Sequence, residues 1–258
     1  MSTTVRVIVV VGDRFAGFAA QEDVVTVSQF LTELHAGTFE EGPEHVVRAG
    51  QGVGRFEWNL VRERVRTHGL EHRVRLVLQE AELATRAECH KRSEPNALIA
   101  DLRRVDETLF HASLRLHNDN ELLLDHQTGQ HVQGMVAVEA ARQMFLAVTE
   151  RYFAAAHGGR RYYYVIESLN TDFENFLFPL DAQIEYRVLT SDVSDPERLS
   201  FAVEVSLLQA GRRASLSRIT FSAFDERVLK PKEHRRAAHA VAHTVADTPV
   251  DAREPVGV

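Results

Sequence analysis

The sequence predicts an α+β protein that is preceded by a small α/β unit, and two patterns support this fold class. The first is a long helix, MVAVEAARQMFLAVTERYFAAA, which begins at Met135 and is apolar on too many sides to lie on a surface. The second is the series of strands after this helix, which ends near Phe224. One buried helix followed by antiparallel strands predicts a helix wrapped by a curved sheet.

The composition is that of an ordinary soluble globular protein. A formal net charge of -7 argues against nucleic acid or an anionic membrane as the main partner. The single cysteine, Cys89, cannot form an internal disulfide and gives no sign of an oxidising compartment. The first apolar run is too short to span a membrane and lacks a signal-peptide cleavage pattern. We therefore expect a cytoplasmic protein.

Residues 1–85 are expected to form the small α/β domain. Val5 to Val11 is a continuous β-branched run typical of a buried strand, and residues 46–47 and 73–78 predict two more strands. One helix is predicted from Ser28, as its N-cap, to Leu34, and a second from Glu57 to His68.

Two glycine patterns in this unit weakly resemble nucleotide-binding loops. Gly12 and Gly17 have a phosphate-loop interval but lack the Lys and Ser or Thr that should follow. The glycines from Gly50 to Gly54 do not have the GxGxxG spacing. Plain turns are the favoured interpretation of both patterns.

Residues 86–232 are expected to form the second domain. A charged segment near its start contains His90, Lys91 and Arg92, which we interpret as a solvated turn rather than the entrance to an anion pocket. Strands are predicted near residues 109–116, 162–169, 182–189, 201–209 and 214–224, with a hairpin turn at residues 210–212. Residues 233–258 lack apolar periodicity and are expected to be disordered, and no metal site is predicted.

The stretch DHQTGQHVQGMVAVEAAR, from Asp125 to Arg142, carries the strongest functional signal. His126 and His131 lie in a loop before the helix, and Glu139 lies in its second turn. A carboxylate on a buried helix is costly unless it is paired or has a function. Two interpretations stay open: a catalytic site, or a Glu139–Arg142 pair that only secures the helix.

This stretch has the groups needed for chemistry on a thioester. Free backbone N–H groups at the start of the Met135 helix could polarise a thioester carbonyl. Glu139 could act as a general acid or base if burial raises its pKa. A loop histidine, His126 or His131, could move a proton to or from the substrate.

The Asp-His pair, the Gly-Met-Val start of the helix and its Glu-Ala-Ala-Arg-Gln segment resemble the AfsA-type hotdog family, the A-factor biosynthesis proteins of γ-butyrolactone signalling. They are also similar to hotdog β-hydroxyacyl-carrier-protein dehydratases, in which a loop histidine and a helix glutamate form the active site. Gln130 and Gln133 depart from the AfsA pattern, where aspartate and proline are common.

The resemblance implies a hotdog fold and catalytic roles for Glu139, His126 and His131. It also implies substrate contacts from four residues at the helix start: Gly134, Met135, Arg142 and Gln143. No cofactor is implied. Because only one hotdog copy is found, and an exposed sheet edge is usually covered, we expect a homodimer.

Three functions remain open. The leading one is AfsA-like transfer of a β-ketoacyl group from acyl carrier protein or a CoA thioester to a small hydroxylated acceptor. The second is a β-hydroxyacyl-thioester dehydratase or isomerase. The third is a non-catalytic hotdog that binds acyl ligands or pathway partners.

Overall fold

The computed structural model describes residues 5–77, 81–124 and 129–246. They contain two sheets, one with strand order β2-β1-β3-β4 and one with order β5-β6-β8-β9-β10-β7. The strands are β1 (Val5–Val11), β2 (Val24–Thr26), β3 (Glu44–Ala49), β4 (Val74–Val77), β5 (Ile99–Arg104), β6 (Leu109–Leu114), β7 (Tyr162–Phe173), β8 (Gln183–Asp192), β9 (Arg198–Gln209) and β10 (Arg212–Asp225). The helices are α1 (Val27–His35), α2 (Arg55–Thr67), α3 (Glu121–Leu124), α4 (Gly134–Val148) and α5 (Glu226–Ala246). The predicted α+β class is confirmed.

The four-stranded sheet is parallel throughout and packs with α1 and α2 around a core of its own. Trp58 from α2 and Phe30 from α1 are fully buried in that core. The cap of α1 differs from the prediction. Thr26 caps the helix by accepting a bond from the Gln29 N–H at 3.2 Å, because the Ser28 hydroxyl is bonded to Asp13 at 2.7 Å.

The six-stranded sheet is antiparallel, and α4 packs against all six of its strands. Four of the strand pairs contain a register shift, and such bulges bend and twist a sheet locally. Phe145 of α4 stacks on Phe221 of β10 with ring centroids 4.3 Å apart. The predicted buried helix inside a sheet is therefore confirmed.

Two elements differ from the expected helix and tail. The helix that begins at Gly134 leaves α geometry at Val148 and continues as a π turn over Thr149–Phe153. The tail was expected to be disordered from residue 233, whereas α5 extends to Ala246. Its Ala, Glu, Lys and Arg residues favour a helix. None of its residues is buried, which agrees with the missing apolar periodicity.

Gln51, in the glycine-rich loop after β3, joins the two sheets. Its side chain donates to the Leu114 carbonyl at 2.9 Å and accepts from the Leu116 N–H at 2.6 Å. Its backbone N–H donates to the Pro179 carbonyl at 2.9 Å. The residue is 2% exposed, so the loop is part of the interface between the two units.

Glycine is required in this interface because the two units approach closely. A Cβ atom on Gly12 would lie 2.8 Å from the Asn118 side-chain oxygen, and one on Gly50 would lie 2.7 Å from the Pro179 carbonyl oxygen. The Gly52 N–H donates to the Leu116 carbonyl at 2.7 Å. The two glycine patterns therefore serve docking between the units. Across the described ranges, no helix is both long and apolar enough to cross a membrane.

Candidate active site

The candidate site lies at the start of α4, where β7 passes close to the helix. Gln133 precedes the helix as its N-cap, and Gly134 is the first helical residue. A Cβ atom on Gly134 would lie 2.9 Å from the ring of Phe173, so glycine permits this close approach. Met135 is 57% exposed and lies at the open end of the helix.

Glu139 lies one turn further along α4, and its side chain is only 17% exposed. Arg142 binds it with two parallel bonds, from Nε at 2.7 Å and from a terminal nitrogen at 2.9 Å. Lys91 Nζ lies 2.6 Å from the Oε1 atom. One carboxylate therefore faces two cations.

Gln143 supplies the third polar contact to Glu139, through Nε2 at 3.0 Å. This side chain is fully buried, and its amide also accepts from the Leu98 N–H and donates to the Asn96 carbonyl, both at 2.8 Å. The amide thus links Glu139 to the chain segment before β5. A buried amide with all these partners holds the site in a fixed geometry.

The electrostatic environment of Glu139 opposes the expected pKa shift. Burial alone would raise the pKa, but hydrogen bonds from Arg142, Lys91 and Gln143 outweigh burial and lower the pKa of Glu139 to about 2. The carboxylate is therefore ionised at neutral pH in this arrangement. A general acid or base was expected to need a pKa raised by burial, and the pKa of Glu139 is lowered instead.

The structure separates one predicted histidine, His131, from this cluster. His131 is exposed, and its ring packs on Phe176 with centroids 4.8 Å apart. Among the described residues, no hydrogen bond or ion pair joins His131 to Glu139. His126 lies outside the described residues.

Lys91 is the site residue that sequence reasoning missed. Its basic turn was interpreted as solvated, yet Lys91 is 25% exposed and directed at Glu139. Its neighbour His90 contacts Glu150, in the π turn that follows α4, at 3.0 Å. The available signal was the adjacent pair of basic residues, but nothing in their local sequence indicates that α4 lies opposite them.

Two other chemistries lack support at this position. Burial raises the pKa of the Cys89 thiol to about 12, so it stays protonated and is a poor nucleophile. Within residues 5–77, 81–124 and 129–246, no group of three or more His, Cys, Asp and Glu side chains is placed to hold a metal ion.

A long helix packed inside a six-stranded antiparallel sheet, with an acidic side chain near the start of that helix, defines a hotdog-fold protein. The sequence profile described as "A-factor biosynthesis hotdog domain" matches residues 72–225. The chain belongs to this AfsA family. Comparison with curated proteins gives no significant match.

Solved structures with a similar fold include one bacterial thioesterase and two putative ones, all of low sequence identity. A mutant thioesterase from Pseudomonas aeruginosa is 15% identical over 49% of this chain and 81% of its own, with a TM-score of 0.35. A putative thioesterase from Shewanella oneidensis is 10% identical over 49% and 83%, with a TM-score of 0.37. One from Lactococcus lactis is 14% identical over 50% and 94%, also with a TM-score of 0.37.

The low pKa of Glu139 predicts a specific dependence of stability on pH. Because its pKa is lowered from 4.5 to about 2, its contribution is complete above pH 4.5 and is lost as the pH falls towards 2. As the pH falls through this window, the free energy of unfolding of the wild type should therefore decrease by roughly 3 kcal/mol more than that of Glu139→Gln. Urea unfolding at pH 6 and pH 2.5 measures both slopes.

Glu107→Gln, at an exposed turn, serves as the control because Glu107 has no ion pair among the described residues. Its pH dependence should match that of the wild type. Equal slopes for the wild type and Glu139→Gln would mean that the ion cluster contributes nothing to folding.

Proposed function

We propose that this protein is an acyl-thioester enzyme that transfers a β-ketoacyl group from acyl carrier protein or CoA to a small hydroxylated acceptor. Membership of the AfsA family supports the class of reaction. The observation that carries the proposal is the cluster around Glu139, where Lys91 and Arg142 surround one part-buried carboxylate at the start of α4. The cluster lies about one turn from the start of α4, and N–H groups at a helix start can polarise a carbonyl.

The charge of the cluster favours an acceptor that carries an anionic group, such as a phosphate ester. Two cations face one carboxylate, so Lys91, Arg142 and Glu139 together keep one net positive charge. Guanidinium and ammonium groups are the usual protein ligands of phosphate. Two other arginines of this domain are engaged elsewhere: Arg160 is paired with Asp225, and Arg104 bonds to carbonyls of its own turn.

An anionic acceptor would also change what Glu139 can do. When Lys91 and Arg142 turn to the acceptor's anionic group, Glu139 loses the hydrogen bonds that lower its pKa. Its pKa then rises with burial, and the carboxylate becomes able to take the proton of the acceptor hydroxyl. The hydroxyl oxygen attacks the thioester carbonyl carbon, the carbon–sulfur bond breaks, and the leaving thiolate receives a proton.

A loop histidine is the proposed donor of that proton. His131 lies three residues before Gly134, in the segment that leads into α4. Its exposed ring rests on Phe176, so a change in this segment on substrate binding would bring it to the site without breaking a buried contact. His126 is the second candidate from the same segment.

One observation favours a non-catalytic, acyl-binding protein as the second candidate. Glu139 is held by three side chains, and its pKa of about 2 makes it a weak base in the absence of substrate. A dehydratase needs a group that can donate a proton to the departing hydroxyl, so the ionised carboxylate argues more strongly against dehydration than against transfer.

The sheet edge formed by β7 supports a twofold homodimer. In the described part of the chain β7 pairs only with β10, and its free edge is 12 residues long. Large apolar side chains on it are exposed, including Val165 at 37% and Phe173 at 58%. Because Phe173 also contacts Gly134, a second copy joined along β7 would lie beside the start of α4.

Glu139→Gln is expected to keep the fold and lose activity. Glutamine keeps the shape but cannot accept a proton, so turnover should fall on the order of 10²-fold or more. Mass spectrometry of products formed from a β-ketoacyl carrier protein and a phosphorylated alcohol measures it. Glu107→Gln is the matched control. Transfer at the wild-type rate by a folded Glu139→Gln protein would exclude the proposed chemistry.

The histidines are tested by alanine variants at His126 and His131. We expect at least one variant to lose turnover on the order of 10²-fold without a lower melting temperature, because the lost group donates a proton and packs little. If only the melting temperature falls, the residue is structural. Full activity in both variants would remove the histidine from the mechanism.

The assembly is tested by light scattering on the purified chain. A homodimer should have about twice the mass of the 29.1 kDa chain. Val165→Asp places a charge on the exposed edge and should shift the mass towards the monomer, whereas Val241→Asp, on exposed α5, should not. A wild-type mass near that of one chain at micromolar concentration would rule out the dimer.

A further inference from the structure

A cleft of about 760 Å³ lies where the amino-terminal unit meets the hotdog domain. It is lined by the first two turns of α2, by the segment over residues 94–97 and by residues that follow β6. A cleft of this size accommodates a small organic ligand. It contains none of the residues of the Glu139 cluster.

Arg115 is the most buried charged group of this cleft. Burial lowers its pKa, because the charged guanidinium is partly removed from water. It donates to the Val53 carbonyl, and no carboxylate within residues 5–77, 81–124 and 129–246 forms an ion pair with it. Asp181 and Glu57 act on the guanidinium electrostatically, but neither forms an ion pair with it in the described ranges, so this partly buried arginine can bind an anion.

Two more arginines line the cleft from one side of α2. Arg55 and Arg62 stand seven residues apart, which is about two turns and therefore the same helix face. Both are exposed, and neither has an ion pair in the described part of the chain. The lining holds three arginines and two carboxylates, Glu82 and Glu94, and the Glu57 carboxylate lies beside Gly54 at its edge.

Gly54, Arg55 and Phe56, at the start of α2, line the cleft. The Glu57 carboxylate accepts from the Gly54 N–H at 2.9 Å and offsets the partial positive charge of this helix end. The helix follows β3 in a parallel sheet, and phosphates bind at this position in many α/β proteins. Here the loop itself is closed to a ligand, because the N–H groups of Gln51 and Gly52 bind carbonyls of the hotdog domain.

Phe56 gives the cleft a flat apolar surface beside its cations. Its side chain is 76% exposed although it is a large aromatic residue in a short, otherwise polar helix turn. An exposed ring of this kind can stack on a nucleobase. Free arginines for phosphates and an aromatic face for a base are together the features of a nucleotide site.

We propose that this cleft binds a nucleotide through its phosphate groups, with the base against Phe56. The same chemistry could come from a free nucleoside diphosphate or from the nucleotide part of coenzyme A. The phosphates would lie between Arg115, Arg55 and Arg62.

Isothermal titration calorimetry of the full chain with ADP, coenzyme A and inorganic phosphate tests this inference. Wild-type protein should bind ADP, and the double variant Arg55→Ala, Arg62→Ala should bind about tenfold or more weakly, because two charged phosphate contacts are lost. Both positions are exposed, so folding is preserved, which thermal melting checks. Arg64→Ala, an exposed arginine of α2 outside the cleft, is the matched control and should bind like the wild type.

Phe56→Ala separates the base from the phosphates. This variant should bind ADP more weakly than the wild type and bind inorganic phosphate equally well. Tighter binding of coenzyme A than of ADP would assign the cleft to the carrier, and equal binding would assign it to a free nucleotide; either result supports the site. No ADP binding at millimolar concentration, or equal ADP affinity in the wild type and the double variant, would overturn the inference.

Discussion

The buried amide of Gln143 is the interaction on which both candidate sites depend. It leaves no polar atom without a partner: its oxygen accepts from Leu98, and its nitrogen donates to Asn96 and Glu139. A buried polar group without its partner costs about 1–3 kcal/mol, so these bonds fix the segment before β5 on α4. One side of that segment supports Glu139, and the other side forms a wall of the arginine-lined cleft. A change at Gln143 would therefore be felt at both places.

Gln51 has the same role between the two units. Its bonds to carbonyls of the hotdog domain place the end of β3 against the end of β6. The strand order changes direction between β1 and β3, and open α/β sheets bind ligands in the crevice at such a point. In this protein the hotdog domain fills the crevice. The part of α2 that stays open to a ligand is its first turns, where Arg55 and Phe56 lie.

Sequence reasoning identified what depends on local pattern. The apolar periodicity of α4 and the β-branched run of β1 predict their elements because burial determines both. The pair of Glu139 and Arg142 was also predictable, since residues three apart share a helix face. Lys91 was not, because its contact with Glu139 joins residues 48 positions apart.

Other differences arose from competition between groups. The Ser28 hydroxyl could have capped α1, but Asp13 from a different element binds it, and the cap moved to Thr26. The glycines of the Gly50–Gly54 loop were interpreted as a plain turn, and this interpretation did not foresee a docked domain. A single sequence does not state which surface a glycine must approach. The pKa of Glu139 shows the same limit, because burial and hydrogen bonding act in opposite directions and only the full set of partners decides between them.

The turn that carries Lys91 contains a strained backbone residue, His90. His90 has a φ of 52°, in the left-handed region that non-glycine residues rarely adopt. Such a residue costs of the order of 1–3 kcal/mol and persists when its surroundings fix it. His90 bonds to Glu150, in the π turn that continues α4, and Lys91 bonds to Glu139, eleven residues earlier on α4 itself.

Consecutive side chains can reach points so far apart only if they leave the backbone in divergent directions along the helix. The left-handed turn at His90 provides that divergence. The left-handed residue thus places Lys91 beside a carboxylate that Arg142 already binds with two bonds. The proposed anionic acceptor would give this second cation a role.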